Sequence, residues 1–402
     1  MMSTSPSGFL RAGPGTLVRS LAVLVVWALF SVGVARAQTD STRADTTQAD
    51  KIQADSSAWR PYVAGYYAHW MGDAWKDMDL TLYDRVLFFT TRVDSLGLIL
   101  TRNGWPEAWT GLDSAATAAG ADLIPTVAMM ERETILPVFA DSVRWTRLVG
   151  EIERLVAESA SPGVHLDIEL FEPAPDSVVA GFASFLRLLN GVLPDSVDIS
   201  VFAPAFDVSR MFDLPSLEPL VDDFYVQGYD LHWLDGPSAG PVAPMDGWGG
   251  ANWQTILARY REAGIPDERI VMTLPYYGYE WPVASTAFGA ATTGKGHILT
   301  YARVDSTRLP DIQRSVEGRL EILGLLRDDI SGSPFYTWMD STGLYQGWFE
   351  DEESIGTKLD FIRRESLGGA AVFLMGYDRG LFNPAIRAFR SQPGDRGPNK
   401  TP

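Results

Sequence analysis

From Ala58 to Arg390, short runs of apolar and β-branched residues alternate with longer stretches in which apolar side chains recur every three or four positions. The short runs read as strands and the longer ones as amphipathic helices. The strand-like runs are Tyr62–Tyr67, Arg85–Thr91, Asp122–Met129, Gly163–Glu169, Asp198–Pro204, Asp223–Tyr229, Arg269–Tyr276 and Gly369–Met375. Helical spacing is clearest over Trp145–Ala157, Val178–Leu193, Trp253–Ala263 and Glu352–Glu365. Strands that alternate with helices make a parallel sheet. Eight of them predict an α/β fold, a (β/α)8 TIM barrel. An open doubly wound sheet is the alternative, but that fold more often opens with a glycine fingerprint, and no G-x-G-x-x-G follows the first strand.

One interval breaks the rhythm. From Tyr279 to Phe349 the chain is too long for a single crossover helix, and Phe335–Phe349 has the pattern of a β-hairpin turning at Ser341–Gly343. A small insertion between the seventh and eighth strands, about residues 279–349, is therefore expected.

The ends differ in composition from the middle. Arg11 and Arg19 precede the apolar run Leu21–Val34, which exits through Ala35-Arg36-Ala37, the pattern of a cleavable signal peptide over residues 1–37. The run is too short for a comfortable membrane span. Cleavage after Ala37 removes three arginines and no acid, and takes the net charge from −18 to −21. Residues 38–57, with three pentads ending Ala-Asp, and the tail 391–402 have too few large apolar groups to fold and read as spacers. The expectation is an exported protein, periplasmic or extracellular, with no membrane attachment after cleavage. It has no cysteine, so neither disulfides nor a lipid anchor on such a residue is available. With 51 acidic against 33 basic residues, a nucleic-acid partner is disfavoured.

The fourth strand, Gly163-Val-His-Leu-Asp-Ile-Glu169, carries the chemistry. Alternation sends Val164, Leu166 and Ile168 to one side and His165, Asp167 and Glu169 to the other. In a barrel the second set faces the lumen, with Glu169 at the open end. A second carboxylate two residues away, together with burial, raises the pKa of one of the pair. Glu169 then holds its proton near neutrality as a general acid. The alternative is a buried, hydrogen-bonded cluster that only orders the lumen. A metal site built from His165, Asp167, Glu169, Asp230 and His232 is a third reading, but the chain has four histidines and no H-E-x-x-H or H-x-H.

This strand resembles the D-G-x-D-x-D-x-E signature of glycoside hydrolase family 18, the chitinase-like hydrolases. Glu169 matches the proton-donating glutamate and Asp167 the aspartate beside it, whereas Pro162 and His165 stand where the two earlier aspartates would be. Val63–Trp70 is similar to the family's first strand, with Tyr66 and Trp70 at sugar-lining positions. Asp222–Trp233 is similar to its M-x-Y-D motif, with Tyr229 and Asp230 matching and Gln227 in place of the methionine. Gly264–Trp281 is similar to the stretch ending in P-x-Y-G, and Tyr345–Asp378 to the last helix and strand, where Phe373 replaces a tryptophan.

The resemblance implies substrate-assisted retaining hydrolysis of β-linked N-acetylhexosamine glycans. Chitin or chitooligosaccharides are the first expectation, with peptidoglycan, N-glycan cores or non-catalytic sugar binding as alternatives. It assigns catalysis to Glu169, Asp167 and Tyr229, and substrate contact to Tyr66, Trp70, His165, Asp230, Tyr277 and Phe373. No cofactor or metal is implied, and the expected partner is an N-acetylglucosamine-containing glycan bound by a monomer.

Overall fold

Eight parallel strands close on themselves in the computed structural model, which describes residues 62–302, 312–317, 319–320 and 324–391. The expected leader and spacer, residues 1–57, fall outside those residues, as do 58–61 and 392–402. The strands are β1 (Tyr62–Ala68), β2 (Arg85–Val93), β3 (Asp122–Met129), β4 (Gly163–Ile168), β5 (Asp198–Ala203), β6 (Asp223–Gln227) and β7 (Ile270–Pro275), followed by the last of the eight (Gly369–Phe373). β1 pairs with β2 on one side (Ala64 opposite Arg85) and with Gly369–Phe373 on the other (Tyr62 opposite Gly369), which closes the barrel. All eight coincide with the runs read from the pattern.

Helices α1 (Thr110–Ala119), α2 (Arg132–Ala140), α3 (Ser142–Ser159), α4 (Asp176–Val192), α5 (Leu214–Leu217), α6 (Trp253–Glu262), α7 (Glu352–Arg364) and α8 (Asn383–Ser391) surround it. Asp141 caps α3 by accepting from the Val143 amide at 2.9 Å. The helix then buries Leu148, Val149, Ile152, Leu155 and Val156, one stripe at three- and four-residue steps. On β4, Val164, Leu166 and Ile168 are all buried, each stabilising the fold by roughly 1.5–3 kcal/mol. α7 starts with a reciprocal cap, in which Asp351 accepts from the Ser354 amide and Ser354 accepts from the Asp351 amide, both at 2.9 Å.

After β7 the chain turns at once into a six-stranded sheet. Its strands are β8 (Gly278–Pro282), β9 (His297–Thr300), β10 (Ile312–Ser315), β11 (Leu326–Arg327), β12 (Pro334–Met339) and β13 (Leu344–Trp348), and the final barrel strand is β14. β12 and β13 are an antiparallel hairpin with Met339 opposite Leu344. Gly278 permits the abrupt start of β8, since a Cβ there would lie 2.0 Å from the Trp348 carbonyl oxygen. Within this sheet the buried Glu280 accepts from Tyr336 Oη (2.6 Å) and Trp338 Nε1 (2.9 Å) and faces Arg314 and Arg319, each at 3.2 Å. A carboxylate taken out of water needs such partners.

Candidate active site

The C-terminal ends of the barrel strands open on a cleft of about 850 Å³. Glu169 follows the last residue of β4, its amide held by the Met129 carbonyl at 2.9 Å, so it stands at the mouth. Asp167 lies two residues deeper, buried, and shares a hydrogen bond with Glu169. The other carboxyl oxygen of Asp167, Oδ1, is buried without a hydrogen-bond partner. Burial raises the pKa of both groups. Glu169 is raised further by the neighbouring charges of Asp167 and then Asp230, which hold its carboxyl well above the ordinary glutamate value.

Tyr229 and Asp230 come from the turn beyond β6. Gly228 makes that turn possible: a Cβ on it would sit 2.5 Å from the Thr273 carbonyl oxygen and 2.8 Å from the Trp253 ring. Tyr229 stacks on Phe373, the last residue of β14, with ring centres 5.8 Å apart and planes 24° from parallel. Oδ1 of Asp230 accepts from two hydroxyls, Tyr277 at 2.7 Å and Tyr279 at 2.8 Å. Burial lifts Asp230 to about 6 against the pull of those two donors. Tyr66, Phe89 and Gln227 complete this part of the wall.

Seven of the nine residues singled out in the sequence thus line one cleft: Glu169, Asp167, Tyr229, Tyr66, Asp230, Tyr277 and Phe373. Two do not. His165 lies roughly 7 Å further down β4 than Asp167, fully buried beneath Tyr66 and Tyr225, and does not reach the cleft. Its Nε2 is 2.8 Å from Tyr66 Oη and its Nδ1 2.9 Å from Ser200 Oγ, while Ser200 donates to the Val164 carbonyl. Ser200 must then accept from Nδ1–H, which leaves Nε2 to accept the Tyr66 proton. Burial, and secondarily Arg85, lower this imidazole to about 3, so it is neutral. His165 is hydrogen-bonded to Tyr66 and is not among the residues that line the cleft.

Trp70 is the second residue outside the lining of the cleft. It stands on the short turn His69–Met71, half-exposed and edge-on at 5.9 Å to Phe89, which does line the cleft.

Tyr279 and Phe89 were not singled out beforehand. The signal for Tyr279 was present, since two residues beyond Tyr277 on an extended chain is the same face. Nothing in Arg85–Thr91 distinguishes the inward of its two phenylalanines without the barrel's register. Among the described residues no group of three or more His, Cys, Asp or Glu side chains is placed to hold a metal ion. No described helix is long and apolar enough to cross a membrane.

The sequence profile described as glycosyl hydrolases family 18 matches residues 135–378. The cortical fragment-lytic enzyme of Bacillus subtilis is 23% identical over 241 residues, covering 57% of this chain and 50% of that protein. The chain spans about half the length of the curated relatives it matches. Among solved structures, the spore cortex-lytic enzyme SleL of Bacillus cereus superposes with a TM-score of 0.67 at 15% identity, over 84% of this chain and 76% of that one. The family GH18 chitinase of Cycas revoluta, solved with allosamidin, gives 0.70 at 13% identity, over 82% and 99%. At such identities these superpositions establish a shared barrel.

Proposed function

The chain belongs to glycosyl hydrolase family 18, and from that premise we propose that it cleaves β-linked N-acetylhexosamine glycans, chitooligosaccharides first among them, with the substrate's own acetamido group as nucleophile. The observation that carries this reading is the arrangement of carboxyls. Ordinary glycosidases flank the scissile bond with two carboxyls about 5–9.5 Å apart. Here Asp167 and Glu169 are hydrogen-bonded to one another on one strand, and one oxygen of Asp230 is taken up by two tyrosines. A nucleophile supplied by the substrate fits that deficit.

Glu169 gives its proton to the glycosidic oxygen as the bond from that oxygen to C1 breaks. The acetamido carbonyl oxygen closes on C1, forming an oxazolinium ring. Asp167, released from Glu169, accepts the acetamido N–H, for which its unpartnered buried oxygen is suited. Tyr229 donates to the acetamido oxygen, and Phe373 backs the Tyr229 ring. Glu169, now a carboxylate, takes a proton from water while the hydroxide attacks C1 and opens the ring. The product keeps its configuration, and the acid is restored.

Peptidoglycan is a second substrate reading, supported by the cortical fragment-lytic relative and by the SleL superposition. The decisive experiment incubates the protein with N-acetylglucosamine oligomers and with their 2-amino, deacetylated counterparts, reading products by mass spectrometry. Cleavage of the first and not the second is expected. Equal cleavage of both, or full activity in Glu169→Gln, would overturn the mechanism. The leader over residues 1–37 supports export, and amino-terminal sequencing of the secreted protein is expected to begin at Gln38.

A further inference from the structure

The cleft that holds Asp167, Glu169 and Asp230 also has a part of different character. Met130, Leu170, Phe171, Phe206 and Val208 follow the ends of three adjacent strands, β3, β4 and β5, and form one apolar side of the mouth. Trp233, beyond β6, lines the same cleft. Phe171, Val208 and Trp233 are 68%, 53% and 51% exposed, although each stands in a concave site where a ligand would cover it. Among the described residues that line the cleft, none is Lys, Arg or His.

Three arginines on the neighbouring loops are paired with carboxylates at the surface. Arg92 pairs with Glu131, Arg132 with Glu172, and Arg210 with Asp176. Arg259 lies over the Phe206 ring, 5.2 Å from its centre.

We propose that this cleft selects glycans that are uncharged around the cleaved bond, and discriminates against units bearing a free carboxylate, such as the lactyl acid of N-acetylmuramic acid. The inference rests on the reading of the site as an N-acetylhexosaminidase and narrows its substrate. A carboxylate brought to this wall loses water to apolar side chains, meets no Lys, Arg or His among the described residues that line the cleft, and shares that cleft with the carboxyl groups of Asp167, Glu169 and Asp230. An uncharged sugar loses nothing comparable, and its C–H faces suit exposed aromatic rings. Muramoyl units whose lactyl group is an amide or a lactam are neutral and fall on the accepted side.

The test uses the full chain and three probes: N-acetylglucosamine hexamers, alternating N-acetylglucosamine–N-acetylmuramic acid oligomers with free lactyl carboxylates, and the same oligomers as lactyl methylamides. At pH 7 the methylamide is expected to be cleaved with a kcat/KM at least tenfold above that of the free acid. Phe171→Lys is expected to narrow that ratio severalfold. Calorimetric titration of Glu169→Gln measures the same preference without turnover, and the methylamide is expected to bind at least tenfold more tightly. Equal rates and equal affinities for acid and amide would overturn the proposal. If no probe is cleaved by the unaltered chain but the affinity gap persists, the hydrolase reading fails while the charge selection stands.

Discussion

The hydroxyl of Tyr279, on the first strand of the six-stranded sheet, lies 2.8 Å from Oδ1 of Asp230 at the barrel mouth. The insertion therefore reaches into the site through one hydrogen bond, next to the 2.7 Å bond from Tyr277 to the same oxygen. Replacing Tyr279 with Phe removes one of two donors to a buried carboxylate, a loss of about 1 kcal/mol. Turnover of N-acetylglucosamine oligomers is expected to fall severalfold, with the thermal midpoint nearly unchanged. An unaltered rate would show that Asp230 needs only Tyr277.

Asp230 also makes stability depend on pH. Its folded pKa, about 6, lies above the ordinary aspartate value. Between the two, the folded chain holds the proton and the unfolded chain does not, so stability falls as pH rises from about 4 towards 6. The cost levels off at about 2–3 kcal/mol for a shift of two units. Thermal melts from pH 4 to 8 are expected to show this decline, and Asp230→Asn to lessen it.

Asp167 raises the pKa of Glu169 by its charge. In Asp167→Asn that charge is gone, so Glu169 loses its proton at lower pH. The alkaline limb of the kcat/KM profile is expected to move towards acid, and the maximal rate to drop about 10²-fold or more with the lost acetamido contact. A profile with an unmoved alkaline limb would show that the limb belongs to another group.

Phe373 supports Tyr229 by stacking and touches Tyr66 at 5.4 Å between ring centres. Phe373→Ala leaves space beneath both tyrosines. It is expected to cost less than the roughly 3–5 kcal/mol of a fully buried phenylalanine, since Phe373 lines the open cleft. KM is expected to rise together with a fall in kcat, because Tyr229 is no longer held.

His165→Ala strands the Tyr66 hydroxyl and Ser200, each buried, at a cost of about 1–3 kcal/mol per lost partner. In the unaltered chain this imidazole, at about 3 when folded and 6.5 when free, makes stability decline as pH falls from about 6.5 towards 3. The variant is expected to lose that acid-side decline, as followed by urea unfolding at pH 4 and pH 7.

The fourth strand shows how much of this was legible. Its alternation predicts that Val164, Leu166 and Ile168 turn outward and His165, Asp167 and Glu169 inward, and they do, because pleating forces successive side chains apart whatever the surroundings. It does not give depth. Asp167 and Glu169 reach the cleft whereas His165 lies beneath Tyr66, and that distinction depends on how far β1 and β4 are staggered around the barrel. The same holds for α2, Arg132–Ala140, whose short run around Pro137 lacks a long amphipathic repeat and is ordered by packing Ile135, Val138 and Phe139 inward.

By itself the sequence determined the periodic features: eight strands, four long helices, the hairpin Phe335–Phe349, and a paired Asp-Glu at the end of one strand. These depend on neighbours along the chain, where a period of two or 3.6 is written directly in residue order. Tertiary structure alone decided that Phe89 lines the cleft, that Tyr279 of the insertion holds Asp230, and that one wall of the mouth is apolar with no Lys, Arg or His among the described residues lining the cleft. Each of those facts sets together residues tens to hundreds of positions apart. Only closure of the barrel brings such groups within hydrogen-bonding or packing distance.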